Sequence, residues 1–211
     1  MSKDILKKLD EGRQYRNMAS FEKREDTDEK IVEGYATTFN SPYELWKEDG
    51  YTVLEQVDKR AFDDTDMSDV IMQYDHAGRV FARGSNDTLA LEVDNFGLHI
   101  RANLGGTEAG RQLYDEIAGG YTTKMSFGFR VAEDERTVKE DRENNEVTVL
   151  RTITKISKLY DVSAVSLPAN DGTTISSRNL GEGIISEVKA EIAEREKRSA
   201  QIARIKALLE D

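Results

Sequence analysis

Lys124-Met125-Ser126-Phe127-Gly128-Phe129-Arg130-Val131 alternates with a period of two. Successive side chains of a β-strand point to opposite sides, so Met125, Phe127, Phe129 and Val131 share one face while Lys124, Ser126, Gly128 and Arg130 share the other. The first face is built to pack, and the second turns a hydroxyl away from the packed side. Gly128 is expected to leave room beside that hydroxyl for a second backbone to approach.

Short runs of alternating or continuous apolar character recur outward from this strand, at 31–39, 51–57, 70–74, 79–83, 88–93, 98–103, 147–153 and 156–165. So many short strands predict a sheet-rich barrel or sandwich. One helix interrupts them over 107–118, with Leu113, Tyr114 and Ile117 on one face and Gly119-Gly120 as its stop, and it leads directly into the Ser126 strand. Residues 133–146 are almost wholly charged and carry the turn signal Asn144-Asn145, which predicts an exposed hairpin excursion. Ile5, Leu6 and Leu9 among charges predict a short amphipathic helix that ends at Gly12. At the other end, residues 184–211 are strongly helix-forming, with Ile185, Val188, Ile192, Ile202, Ile205 and Leu209 at helical spacing and Arg195 and Ser199 breaking the stripe. A tail of that pattern docks on another helix or stays a charged, exposed rod. The fold class expected is therefore mainly β with helices (α+β).

Composition narrows the function classes. The 211 residues suffice for one domain with an appendage, and 37% apolar against 34% charged residues suggests that part of the chain is extended and solvent-exposed. Asp and Glu number 41 against 30 Lys and Arg, a net charge of −11 that repels phosphate backbones, so no nucleic-acid partner is expected. The absence of cysteine removes disulfides, a thiol nucleophile and Cys-type zinc sites. No run approaches the roughly 18 apolar residues of a membrane span, so the reading is a soluble, intracellular protein without a membrane partner. No phosphate loop, metal-ligand cluster or other cofactor signature stands out, and neither a cofactor nor a metal is expected.

A proton shuttle near neutral pH is most readily a histidine, and the chain has two. His99 lies in Leu98-His99-Ile100-Arg101-Ala102, where the apolar residues claim the buried face and leave His99 a solvated strand position. His76 follows the apolar run 70–74 in Asp75-His76-Ala77-Gly78-Arg79, at a strand end where loops present functional groups. A hydroxyl nucleophile at Ser126 needs such a base, and the base needs an orienting acceptor. Asp161, in Lys158-Leu159-Tyr160-Asp161-Val162-Ser163-Ala164-Val165, is the best candidate, because an unpaired carboxylate in that apolar stretch is expensive. A salt bridge to a neighbouring strand would satisfy it equally. Arg130, on the Ser126 face, is a candidate oxyanion donor by shared direction alone.

Five pieces, in this order, carry a family resemblance: Val32-Glu33-Gly34-Tyr35-Ala36-Thr37-Thr38-Phe39; Asp75-His76 followed by Arg79 and Gly84; Asn95-Phe96-Gly97-Leu98; Met125-Ser126-Phe127-Gly128-Phe129; and Asp161-Val162-Ser163-Ala164-Val165 leading to Pro168-Ala169-Asn170. Over approximately residues 20–176 the sequence resembles the head maturation (prohead) proteases of tailed bacteriophages, which are distantly similar in fold and chemistry to the herpesvirus assemblins. The resemblance implies an assemblin-like β-barrel with a helix before the nucleophile strand, His76 as base, Ser126 as nucleophile and Asp161 as acidic third member. The acidic position in the family pattern is more often Glu, so Asp161 has a shorter reach, and Glu55 and Asp75 are alternatives. The domains expected are an N-terminal helical extension over 1–17, a protease domain over 18–178 and a C-terminal helical tail over 179–211. The implied substrates are the scaffolding segment of the major capsid protein and the protease itself, cleaved inside the assembling procapsid in the host cytoplasm, with a homo-oligomer left open. Two rivals compete with this reading: a non-catalytic capsid assembly or scaffolding protein on the same fold, and a β-barrel module that binds a peptide by strand addition.

Overall fold

A computed structural model describes residues 12–23, 29–166 and 175–209. Strands β1 (Gln14–Lys23), β2 (Ile31–Thr38), β3 (Tyr43–Glu48), β4 (Tyr51–Val57), β5 (Ile71–Tyr74), β6 (Ala77–Arg83), β7 (Leu89–Val93) and β8 (Gly97–Asn103) precede helix α1 (Glu108–Ala118). Strands β9 (Lys124–Asp141) and β10 (Glu146–Val165) and helix α2 (Ile175–Leu209) follow. The mixed α+β, mostly β class expected from the sequence is what forms.

The sheet is organised by β10. Its whole length pairs antiparallel with β9, while its other edge takes β4 in parallel over 147–153 and β5 in parallel over 161–164. Beyond β9 the order runs β1, β2, β8, β7. The two separate strands expected at 147–153 and 156–165 are thus one strand, and the charged segment expected as an excursion is the far end of the β9–β10 hairpin. β3 lies outside the runs expected to be strands. So does β1: the helical extension expected over 1–17 lies outside the described residues up to Glu11, and from Gln14 the chain is strand.

Core residues come from strands all round the sheet. Val32, Met72, Ile100, Phe127, Ile153 and Leu159 meet Leu113 and Ile117 of α1 in one cluster, with the Phe127 and Phe129 rings stacked 4.5 Å apart. Burying each such side chain stabilises by about 1.5–3 kcal/mol. The expected barrel is nevertheless not closed among the described strands. β6 and β7 are joined by a 3-10 turn over Gly84–Asn86, and between Arg83 and Thr88 the backbone N–H of one donates to the hydroxyl of the other at 2.8 Å, so a side chain stands where a ladder bond would.

α1 begins as the sequence suggests, with the Thr107 hydroxyl accepting from Gly110 N at 3.0 Å and Leu113 and Ile117 turned inward. α2 docks on strands instead of on another helix. Ile184, Ile185 and Val188 pack against Leu45, Val53 and Val149, and Gly181 lies so close to Trp46 that an added Cβ would reach within 2.6 Å of its Cγ. Past Ile192 the helix is exposed along its length, including Ile202, Ile205 and Leu209. No helix among the described residues is long and apolar enough to cross a membrane.

Candidate active site

Tyr74 and Ala77 are paired across the β5–β6 hairpin, which leaves Asp75 and His76 as a two-residue loop. Both have positive φ, 48° and 57°, the mark of a type I′ hairpin turn. Asp and His tolerate this conformation better than most residues, yet each such position costs on the order of 1–3 kcal/mol and concentrates where function needs it. The turn is fastened to the end of β10: Asp75 N donates to Ala164 O at 2.9 Å, and the Asp75 carboxylate accepts from Ser166 N at 2.9 Å and from Ser166 Oγ at 2.9 Å. Asp75 therefore aims the turn and does not orient the imidazole.

His76 reaches both expected partners. Its Nε2 lies 2.6 Å from Ser126 Oγ and its Nδ1 2.5 Å from Asp161 Oδ1. A carboxylate only accepts, so Nδ1 carries the proton, and in the neutral ring Nε2 is the acceptor of the Ser126 hydroxyl. Ser163 Oγ donates a further bond to Asp161 Oδ1 at 2.8 Å. The group is enclosed, with His76 7%, Asp161 1%, Ser126 0% and Ser163 0% exposed.

Asp161 owes its aim to a bulge. Leu159 pairs with Phe129 and belongs to the core, whereas Asp161 pairs with Gly128 on the opposite face. In a regular strand residues two apart share a face. The register shift between Leu159 and Asp161 inserts Tyr160 as an extra residue and carries the carboxylate across. Gly128 then supplies the space: a Cβ there would collide with the Asp161 carboxylate and come within 2.7 Å of Tyr15 Cε1. The room expected for a substrate backbone is thus filled by the protein's own side chains, and the Ser126 face, expected to be open, is covered.

The other candidates lie elsewhere. Glu55 is fully buried among Arg16, Arg151 and Tyr43, with Arg16 Nη2 donating to its Oε2 at 3.0 Å. Burial alone would raise its carboxyl, but the two guanidiniums and the Tyr43 hydroxyl hold it down to about 2. The sequence carried a signal for this cluster: Glu55 sits between Val53 and Val57, and Arg151 between Val149 and Ile153, one charge of each sign on an apolar strand face. They pair directly across β4 and β10. Arg130 is exposed, its guanidinium 5.9 Å from the Tyr160 ring, so it is not placed as an oxyanion donor to the buried Ser126. His99 is half-buried, its ring edge-on to Tyr35 at 5.1 Å. Pro168-Ala169-Asn170 lie outside the described residues. A cleft of about 450 Å³ opens between β6 and α1, lined by Tyr74, Arg79, Phe81, Gln112, Leu113 and Glu116 and by none of Ser126, His76 and Asp161.

The contacts from Ser126 to His76 and from His76 to Asp161 have the connectivity of a Ser–His–Asp triad. Neither the curated proteins nor the solved structures include a match to the chain. The sequence model of the caudovirus prohead serine protease family, in contrast, matches residues 19–184, a span that holds His76, Ser126 and Asp161. The chain belongs to the caudovirus prohead serine protease family.

Proposed function

We propose that the protein is a serine endopeptidase of capsid maturation in which Ser126 is the nucleophile, His76 the general base and Asp161 the acceptor that orients it. The observation that carries this reading is the continuous path from Asp161 Oδ1 through both imidazole nitrogens to Ser126 Oγ.

The Ser126 proton passes to His76 Nε2 as Oγ attacks a peptide carbonyl, and Asp161 stabilises the imidazolium through Nδ1–H. His76 then gives the proton to the departing amine. A water activated by the same nitrogen releases the acyl group and restores the hydroxyl. Base catalysis of this kind contributes about 10²- to 10⁴-fold. Because Ser126 is fully covered, the substrate carbonyl meets it only after covering side chains move.

The substrates proposed are the scaffolding segment of the major capsid protein and the protease's own chain, inside the procapsid. Co-expression with the cognate capsid protein tests this: a shortened capsid protein is expected, and it returns to full length with Ser126→Ala. The complete burial of Ser126 favours one rival, an assembly protein with a vestigial site. Full-length capsid protein with the wild-type chain would establish that rival, and processing that survives Ser126→Ala would remove Ser126 from the mechanism.

A further inference from the structure

Two hydrogen bonds and the bond to Cβ define where an imidazole lies, but such contacts are soft and leave χ1 and χ2 room to swing the ring. A general base must hold its geometry within about 10–20°, so something must press on a face of the ring. In this protein that surface is an aromatic ring from β1, the strand the alternation pattern does not announce.

Tyr15 pairs with Gly128 across β1 and β9, while Asp161 pairs with Gly128 from β10. The absent Gly128 side chain therefore leaves one space, entered by the Tyr15 ring from one side and the Asp161 carboxylate from the other. The Tyr15 ring centroid lies 4.2 Å from that of His76, with the planes at 53°, and Tyr15 is 6% exposed. Its backbone is fixed by the next residue. Arg16 Nη1 donates to Tyr15 O at 2.9 Å while the same guanidinium is held by the buried Glu55.

We propose that Tyr15 is a positioning residue for His76, its ring setting the tilt at which Nε2 meets Ser126 Oγ. This rests on the Ser126–His76 reading above. The ring and not the hydroxyl does the positioning, so Tyr15→Phe keeps most of kcat. Tyr15→Leu, which keeps an apolar side chain but removes the flat surface, lowers kcat by about 10- to 100-fold with KM within about twofold.

The test pairs cleavage kinetics with NMR of the histidine rings, only two of which exist in the chain, His76 being assigned by loss of the other signals in His99→Gln. In the wild type, nuclear Overhauser contacts link the Tyr15 and His76 ring protons, and the His76 Cε1–H resonance carries a ring-current shift that Tyr15→Phe keeps and Tyr15→Leu loses. Absent contacts in the wild type, an unshifted Tyr15→Leu spectrum, unchanged kcat in Tyr15→Leu, a loss confined to KM, or an equal loss in Tyr15→Phe each overturn the proposal. A wild-type protein without Ser126-dependent cleavage would instead sink the protease reading, and the NMR contact would still decide whether Tyr15 sets the His76 ring.

Discussion

The carboxylate of Asp161 occupies the space that a side chain on Gly128 would fill, although the two residues belong to different strands. Asp161 and the Ser126 strand are thus fitted to each other through an absent methyl group. Gly128→Ala is the direct probe. Its Cβ displaces Asp161 and Tyr15 together, so stability falls by about 1–3 kcal/mol from overpacking, and cleavage falls by more than the folded fraction explains. Chemical unfolding and cleavage rates measured on the same preparation check this.

Asp161→Asn separates charge from shape. The Asn amide fits the same space, but a donor facing Nδ1 favours the wrong imidazole tautomer. We expect kcat to fall about 10³- to 10⁴-fold in a protein that remains folded by circular dichroism. A near-normal rate would return the role to another acid.

Ser163→Ala removes one of the donors to Asp161 Oδ1 and leaves the His76 contact in place. The carboxylate is then less firmly aimed, and kcat drops on the order of tenfold. Steady-state kinetics would show the change in kcat and not in KM.

How much of this was legible follows from what each feature depends on. The Ser126 strand, α1 and most strands announce themselves through periodicity, which is local. His76 was legible as a loop histidine at a strand end. The aim of Asp161 was not, because strict alternation puts Asp161 and Ser163 on the face of Leu159, and only the Tyr160 bulge turns both of them away from it. β1 was missed because Gln14, Arg16 and Asn17 break its apolar pattern, and Arg16 becomes a core residue only once Glu55 and Arg151 meet it. Ser126 looked open because a strand pattern distinguishes the faces of a sheet without revealing what a distant hairpin lays over one of them.

Glu55 gives the acid limb of stability a specific cause. Its folded-state carboxyl is depressed to about 2 from an ordinary 4.5, so the unfolded chain binds the proton first. Its contribution is present above the ordinary value and is lost as pH falls from about 4.5 through about 2. Glu55→Gln leaves Arg16 and Arg151 buried without this shared counter-charge, a loss of about 3–5 kcal/mol at neutral pH. The variant also loses this part of the acid sensitivity. Denaturant midpoints for both proteins across that pH range test the sign.

In the proposed mechanism Ser126, activated by His76, makes the covalent bond to substrate. This is tested most directly by inactivating the protein to completion with a fluorophosphonate and locating the adduct by peptide mass. One adduct per chain is expected, on Ser126, formed in step with the loss of cleavage and slowed about 100-fold or more in His76→Gln. Complete inactivation with the adduct on another residue, or Ser126→Ala labelled and inactivated like the wild type, would contradict this mechanism.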